Sequence, residues 1–330
     1  MNKRERVFAA LSGEKTDRVP VGFWMHFKPE AYYGTTAVET HIKYFNESRT
    51  DICKIMNECT YPCDHNIQSA RDWKQVKIYD HTAAFIQCQT DVIKRVVSHC
   101  KDAPTVATIH GVVASASHTL LGIPKYDSIG RFAQLYHLRT SPIMVWDAYK
   151  KIADTLCTIA KESIKAGAEG IYYAALGGEE DGFTDEEHAK YIAPLDQLVI
   201  QAAYDAGAKF VILHMCKPRV RLERFIDYPC DIVNWGIEES QISLTEGKKL
   251  FHNKVLLGGL NNQHGPLIDG GYDQLEKEIH KIITMTGGKR FILGSDCTLP
   301  GELSYEKIAM TVRACESYNL SRRDLVSAKR

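Results

Sequence analysis

Two stretches of the chain share one arrangement, AGAEGIYYA at residues 166–174 and AGAKFVILH at residues 206–214. In each, a helical pattern ends at an Ala-Gly-Ala step, and a short run of β-branched, aromatic or other apolar residues follows at once. Before the first stretch, apolar residues recur at helical spacing over residues 144–166. A helix that ends at glycine and leads directly into a buried strand is the repeating unit of a parallel α/β fold.

Similar apolar runs alternate with longer amphipathic stretches along the whole chain. Eight are found, at residues 19–24, 51–56, 105–110, 169–174, 209–214, 231–235, 254–258 and 290–294. They predict a (β/α)8 TIM barrel of one domain spanning 1–330, since no linker rich in proline, glycine or serine divides the chain. Residues 60–106 are less regular, and we predict a hairpin or irregular insertion there, after the second strand. An open doubly wound sheet is the competing architecture.

Composition and charge argue against several classes of protein. Lys plus Arg and Asp plus Glu number 41 each, without a run of like charge, so we expect no general attraction to nucleic acid or anionic membranes. No stretch approaches the ~20 apolar residues of a membrane span, and the basic start lacks the apolar run of a secretory signal. Ten cysteines without regular spacing favour reduced thiols in a cytoplasmic protein.

Three residues of metal-ligating type fall at the ends of predicted strands. His214 and Cys216 close the fifth run, and the alternation of a strand turns residues two apart to the same side. Cys297 follows the eighth run. Because the carboxyl-terminal ends of barrel strands meet on one face, these side chains predict a zinc site with an open position for substrate. The alternative interpretation is two buried apolar cysteines and a satisfied core histidine.

A second cluster competes for the metal. It consists of Cys53, Cys59, Cys63 and His65, and its Cys-Asp-His segment mirrors the spacing of the first motif. The cluster lies in the irregular region rather than at the ends of predicted strands. Its position favours buried or incidental thiols, although it remains a rival site.

The opening residues 2–20, NKRERVFAALSGEKTDRVP, resemble the start of the uroporphyrinogen decarboxylase superfamily, and the likeness extends over essentially the whole chain. Within that superfamily, methylcobamide:coenzyme M methyltransferases carry a His-x-Cys pair after the fifth strand and one Cys after the eighth. His214, Cys216 and Cys297 stand at the matching places. The resemblance implies that they hold zinc, which activates a thiol. It also implies methyl transfer between that thiol and a corrinoid carried by a partner protein.

The same comparison separates the chain from true uroporphyrinogen decarboxylases. Those enzymes carry an Arg-Gln-Ala-Gly-Arg segment after the first strand and a catalytic Asp after the second. Here the sequence reads HFKPEA at residues 26–31 and KIMNEC at residues 54–59. Both arginines are missing and the acid has no clear counterpart, so we expect no uroporphyrinogen decarboxylation.

Further polar residues near predicted strand ends are candidates for the rest of the site. We expect Glu58 to be a displaceable fourth zinc ligand, with a solvated loop glutamate as the alternative. We expect Asp296 to orient His214, or else to cap a loop. A set of polar groups is predicted to line a substrate or corrinoid pocket, with loop hydrogen bonding as the alternative for each. Its members are Tyr173 and Asn234, which are favoured, and Asn57, Glu179 and Asn261.

Three functions remain open at this point. The leading one is a zinc-dependent methyltransferase whose partners are a corrinoid protein and a small thiol. The second is a corrinoid-dependent demethylase that takes its methyl group from a small methoxylated or methylated compound. The third is a non-catalytic barrel that binds a tetrapyrrole or stores metal. Coenzyme M, homocysteine and other small thiols offer zinc the same sulfur, so the sequence does not choose among them.

Overall fold

The protein is described here by a computed structural model covering residues 1–62, 67–120 and 128–327, with side chains up to residue 318. The strands in these residues form one parallel sheet of seven, in which each strand pairs with the next along the chain. They are β1 (Cys53–Ile55), β2 (Thr105–His110), β3 (Gly170–Ala175), β4 (Phe210–Met215), β5 (Ile232–Trp235), β6 (Val255–Leu260) and β7 (Phe291–Ser295).

Helices connect the strands and cover the sheet. In the described part of the chain they are α1 (Lys3–Ser12), α2 (Gly34–Ser48), α3 (Ala84–His99), α4 (Val112–His118), α5 (Ser128–Thr140), α6 (Pro142–Lys165), α7 (Asp185–Glu187), α8 (Ala193–Asp205), α9 (Ile237–Ser240), α10 (Leu244–Leu250), α11 (Tyr272–Thr286) and α12 (Tyr305–Ser327). Short 3-10 helices lie at Pro29–Ala31, Ala70–Gln75 and Leu222–Phe225, and a π-helical turn at His188–Ile192. None of the described helices is both long and apolar enough to cross a membrane.

The first predicted strand, at residues 19–24, is not a regular strand. Gly22 N–H donates to the Leu293 carbonyl and Leu293 N–H donates to the Pro20 carbonyl, each at 2.8 Å. On the other side, Asp51 N–H donates to the Val21 carbonyl at 2.7 Å. The segment thus lies between β7 and the residues that precede β1, joined by two hydrogen bonds on the β7 side and one on the other. Pro20 has no N–H to donate to a ladder, and the described residues form seven regular strands where the sequence predicted eight.

The region predicted as a hairpin or irregular insertion, residues 60–106, is irregular only in its first half. Its described residues contain the 3-10 helix Ala70–Gln75 and an isolated bridge from Ile67 to Leu120. The 16-residue helix α3 follows and buries Ile93 in the layer outside β1. The apolar residues of α3 recur at helical spacing and account for the second half of the region. A hairpin or irregular insertion in the first half stays a prediction.

Glycine ends the two helices that the repeated Ala-Gly-Ala motif predicted. Gly167 follows α6 with φ +106°, and Gly207 follows α8 with φ +101°. L-residues with a Cβ rarely adopt this backbone conformation, whereas glycine does so at little cost. The chain turns there and enters β3 or β4, which confirms the helix–glycine–strand pattern.

Alternation along the strands sorts side chains between two environments. Lys54, Thr108, Tyr172 and His214, all even-numbered, line one interior cavity. Odd-numbered neighbours such as Ile55 belong instead to the core between the sheet and helices α2 and α3. A shift of one residue therefore moves a side chain from the cavity to the helical layer.

Candidate metal centre

His214, Cys216 and Cys297 come together at the carboxyl-terminal end of the sheet. His214 lies in β4, Cys216 follows that strand directly, and Cys297 follows β7. Their nitrogen and sulfur atoms all lie within 4.8 Å of one another, and His214 Nε2 is 3.4 Å from Cys297 Sγ. No other group of this kind occurs among the described residues. The three ligands that the sequence predicted therefore converge.

The geometry of the three side chains fits a zinc ion. With Zn–S and Zn–N bonds of about 2.3 and 2.0 Å, tetrahedral coordination separates a sulfur and a nitrogen ligand by roughly 3.5 Å. The distance from His214 Nε2 to Cys297 Sγ is 3.4 Å. A mixed set of one imidazole and two thiolates is one that zinc prefers over harder cations. Three protein ligands leave one position for an incoming group.

Asn234 fixes the orientation of His214. Its Nδ2 donates to the carbonyls of Leu257 at 2.9 Å and Ser295 at 3.0 Å. Its Oδ1 must therefore accept from His214 Nδ1, 2.5 Å away. This hydrogen bond places a ring proton on Nδ1 and directs Nε2 toward Cys297. The sequence predicted that Asn234 lines a pocket. The side chain is instead fully buried, and it positions the histidine.

A hydrogen bond between their side chains links Cys216 and Cys297. A hydrogen bond from Cys216 lowers the pKa of Cys297 well below its usual value; burial opposes this change, and His214 adds to it. The same hydrogen bond and burial raise the pKa of Cys216. Cys297 is therefore the thiolate of the pair, and a thiolate is the form that binds metal.

A cavity of about 190 Å³ opens onto the three ligands. Tyr172 forms one wall and stacks on the His214 ring, with centroids 5.2 Å apart and planes 24° from parallel. His26 and His110 also line it, and burial lowers the pKa of His110 well below its usual value, which keeps that ring neutral. The space suits a small molecule placed against the ligands.

Lys54 brings a buried ammonium into this cavity from β1. Nζ lies 4.1 Å from the Tyr172 ring centroid and 5.1 Å from that of Trp24, and it donates to Met56 Sδ at 3.0 Å. Among the described residues, no carboxylate lies within ion-pair distance of Nζ. Burial lowers the pKa of Lys54 to about 7, although Glu58 and Cys297 act in the opposite direction. The lysine is a buried cation without a fixed anionic partner.

Glu58, the predicted fourth ligand, pairs with a histidine instead of joining the three ligands. Its Oε1 accepts from His26 Nδ1 at 2.6 Å. Burial favours a higher pKa, but His26, His110 and Lys54 outweigh it and lower the pKa of Glu58. The Glu58 carboxylate is thus ionised and lies close to the cavity. It does not belong to the group of side chains whose ligand atoms lie within 4.8 Å of one another. Its coordination of metal stays a prediction.

The prediction for Tyr173 was wrong by one position. Its hydroxyl donates to Asp196 in α8 and accepts from Val112 N–H at 3.3 Å, so the side chain is buried in the helical layer. Its neighbour Tyr172 faces the cavity. β3 and β4 pair with Ala174 opposite His214, and residues two apart share a face. This rule, applied to the predicted strands, would have selected Tyr172.

The other predicted polar residues each contact a group of the protein itself. Asn57 is buried and donates to the Thr108 carbonyl at 3.3 Å. Asn261 Oδ1 accepts from two following backbone N–H groups, at 2.7 and 3.1 Å, as in a loop turn. Glu179 forms an ion pair with Arg131. For Asn261 and Glu179, the structure supports the alternative interpretation.

Asp296 does not orient His214, because Asn234 already occupies the Nδ1 position. Instead, Asp296 Oδ2 accepts from Ile237 N–H at 3.1 Å, which caps the start of α9. The capping alternative from the sequence is therefore the one observed. Asp296 is adjacent to Cys297 in sequence, but its hydrogen-bond partner is the backbone of α9.

Of the rival cluster, only Cys53 and Cys59 lie among the described residues. Cys63 and His65 lie outside the described residues. Cys53 Sγ lies 3.2 Å from Cys100 Sγ in the core outside β1, away from the cavity. Cys59 is buried, and every cysteine in the described chain is a free thiol.

Sequence reasoning missed four residues that line the cavity: Lys54, Tyr172, His26 and His110. Lys54 had a usable signal, because a lysine inside an otherwise apolar strand must be paired or functional. His110 ends a predicted strand, as His214 does. His26 lies after an irregular segment, and its approach to Glu58 depends on tertiary folding.

Comparison with known proteins agrees with this description. The chain resembles the solved structure of a methyltransferase from Methanosarcina mazei, with a TM-score of 0.73, 17% identity, and coverage of 96% of this chain and 99% of that one. A β-mannanase from the blue mussel Mytilus edulis gives a TM-score of 0.52 at 12% identity, with 91% and 92% covered. At such identities the likeness shows the fold alone. No curated protein sequence matches the chain.

The profile of the uroporphyrinogen decarboxylase family (URO-D) matches residues 55–318. That range begins within β1 and ends within α12, so it includes the whole sheet except the start of β1, together with all three candidate ligands. The resemblance first noted in the opening residues is confirmed by a match to most of the chain. The protein belongs to the uroporphyrinogen decarboxylase family.

Proposed function

We propose that the protein is a zinc-dependent methyltransferase that moves a methyl group between a corrinoid carrier protein and a small thiol. The observation that carries this proposal is the convergence of His214, Cys216 and Cys297 on one point at the floor of a cavity. The fold shared with a methyltransferase supports it. His214, Cys216 and Cys297 would hold the ion. When bound, zinc stabilises the thiolate of a coordinated thiol near neutral pH.

The protein's own groups prepare the site for that chemistry. Asn234 holds His214 with Nε2 directed inward, so the ring need not reorient when an ion binds. Tyr172 stacks on the same ring and limits its rotation. The cysteine pair already favours one thiolate, which lowers the number of protons to be displaced. The first coordination shell is thus largely preorganised.

Lys54 supports a more specific statement about the thiol. An unpaired ammonium in a buried cavity is unfavourable unless an anion completes it. The nearby Glu58 carboxylate is hydrogen-bonded to His26. We therefore propose that the thiol carries an acidic group, which pairs with Lys54 while the sulfur reaches the metal ligands. The cavity volume of about 190 Å³ limits it to a small molecule.

Uroporphyrinogen decarboxylation does not form part of the proposal. A porphyrinogen with many carboxylates needs several cations, and the segment at residues 26–31, HFKPEA, contains neither arginine of the true decarboxylases. A cavity of about 190 Å³ is also far smaller than a macrocycle. In this proposal a corrinoid would approach from the open side, carried by its own protein.

The direct test is a methyl-transfer assay with zinc-loaded protein, methylcobalamin as donor and three thiols: coenzyme M, homocysteine and neutral mercaptoethanol. We expect the thioether product by mass spectrometry, with loss of the methylcobalamin absorbance, and kcat/KM at least about tenfold higher for an acidic thiol. Cys297→Ala should abolish transfer.

Two results would contradict the proposal. No thioether from any thiol, with zinc bound, would favour the non-catalytic barrel. Methylation of cob(I)alamin by a methoxylated or methylated compound, with no thiol required, would favour the demethylase. A Lys54→Met variant that keeps the same preference for acidic thiols would remove the specificity argument and leave the reaction itself standing.

A further inference from the structure

A second cavity lies beside the metal centre and shares no lining residue with the first. It measures about 380 Å³ and lies among the segments that follow β5 and β6 and the helices α10 and α11. Most of its wall is apolar, formed by Leu244, Leu260, Pro266, Leu267, Ile282 and Met285. Its size and lining suit a small organic molecule.

Gly259 in β6 helps to keep this cavity open. Its φ is +112°, and a Cβ built on it would lie 3.1 Å from Ile282 Cγ2 and 3.5 Å from Leu244 Cδ1. Both neighbours line the cavity. A residue with a side chain at this position would be strained and would crowd that wall.

Asp296 is the most buried of the polar residues that line this cavity. Asp296 is 4% exposed, and its carboxylate is anchored through Oδ2, which accepts from Ile237 N–H at 3.1 Å. Its backbone N–H is also held, by the Leu260 carbonyl at 2.9 Å. Oδ1 is buried and has no hydrogen-bond partner among the described residues. An unpaired carboxylate oxygen in such surroundings is costly, so a donor is missing at this point.

Cations near the cavity mouth are already paired and do not supply that donor. His264 Nε2 lies 2.9 Å from Glu238 Oε2, and Lys281 Nζ lies 3.5 Å from Glu278 Oε1. The members of both pairs are at least one-third exposed and lie at the rim. Asp296 is therefore the buried charged group of this lining, and the other charged groups lie at its rim.

We propose that this cavity binds a small organic ammonium ion. The ammonium group donates to Asp296 Oδ1, and the hydrocarbon part packs against Leu260 and Ile282. The argument rests on the orphaned oxygen and the apolar wall, and it requires neither zinc nor methyl transfer. Because Asp296 immediately precedes Cys297, an occupant here would contact the loop that carries a metal ligand.

Isothermal titration with hexylammonium at about pH 8, where alkyl ammonium ions stay protonated, tests the proposal on the zinc-loaded full chain. We expect saturable binding at one site per chain. Hexanol, which has the same body without charge, should bind at least about tenfold more weakly, as expected for loss of a charge-assisted hydrogen bond. Hexanoate should not bind.

Two variants locate the site. Asp296→Asn keeps the shape and removes the charge, and Ile282→Phe fills the cavity without touching Asp296; each should weaken hexylammonium binding by at least about tenfold. Zinc content and a thermal melt show that each variant is folded and metal-loaded. Binding that is absent, that is equal for hexanol, or that survives both variants overturns the proposal.

Discussion

The two ends of the sheet treat buried charge in opposite ways. Before β1, Asp51 is fully buried and saturated: Arg18 donates to both carboxylate oxygens at 2.6 and 3.0 Å, Arg6 donates at 2.8 Å, and Val21 N–H at 2.8 Å. Toward the other end, Lys54 is equally buried, yet no described carboxylate pairs with it. The charge of Asp51 is therefore balanced within the protein, whereas the charge of Lys54 has no carboxylate partner among the described residues.

The same contrast holds for other residues at each end. Before β5, Asp231 Oδ2 accepts from Tyr204 at 2.6 Å and from Val211 N–H at 2.9 Å. At the opposite end, Asn57 Oδ1 and Asp296 Oδ1 are buried without a partner among the described residues. A fold that pairs its charges at one end does not lack the means to do so at the other. We therefore expect the charged groups left unpaired at the carboxyl-terminal end, Lys54 and Asp296, to mark where ligands bind.

The largest effect on stability should follow from removing the fully hydrogen-bonded carboxylate of Asp51. Asp51→Ala leaves two buried arginines without their carboxylate, and we expect a loss of about 3–5 kcal/mol in the free energy of unfolding. Denaturant unfolding measures it. Asp17→Asn is the matched control: it removes a partly exposed partner of the same Arg6 and should cost about 1 kcal/mol or less. Equal losses for the two variants would contradict the contrast.

At the carboxyl-terminal end of the sheet, Asn234→Ala should have a smaller effect, which is confined to metal binding. Without its acceptor, His214 loses its fixed tautomer and orientation, and we expect the zinc dissociation constant to rise about 10–100-fold. Competition with a chromophoric chelator measures that constant. Asn261→Ala removes another asparagine at the same end, one that only holds a loop turn, and should leave zinc affinity unchanged. A similar loss in both would indicate general damage to that end.

The smallest effect concerns the unpaired lysine. Its pKa of about 7 in the folded protein is below the usual 10.5, so the unfolded chain binds more protons between these values. Stability should therefore rise with pH across that window, by at most about 1.4 kcal/mol per pH unit. Lys54→Met lacks this titration and should be more stable than the native protein, by about 1 kcal/mol at pH 7. The advantage should shrink toward pH 10.

Unfolding curves at several pH values measure this difference. Lys43→Met, which changes an exposed lysine on α2, should follow the native pH dependence throughout. If Lys54→Met is less stable than the native protein at all pH values, the ammonium has a stabilising partner, and the contrast between the two ends is lost.

Some features of the fold and of the candidate site could be predicted from local sequence signals, and others depend on tertiary folding. Glycine at residues 167 and 207 is a local signal, and it predicted helix ends and the strands that follow them correctly. The spacing of His214 and Cys216 is also local, and it predicted that these two side chains lie together. Their role as metal ligands stays a prediction. The register of the strands was harder to predict from the sequence. Tyr172 and Tyr173 are adjacent in one apolar strand, and only the pairing of β3 with β4 decides which of them faces the cavity. The partner of Glu58 is set by tertiary folding, and no sequence pattern joins residues 26 and 58.

If His214, Cys216 and Cys297 hold one zinc ion, elemental analysis of the purified protein should find about one zinc per chain. The metal should be lost in folded Cys216→Ala and Cys297→Ala and retained in Cys230→Ala, which changes a buried cysteine away from the cavity. No bound zinc, or zinc that survives both ligand substitutions, would contradict this zinc site.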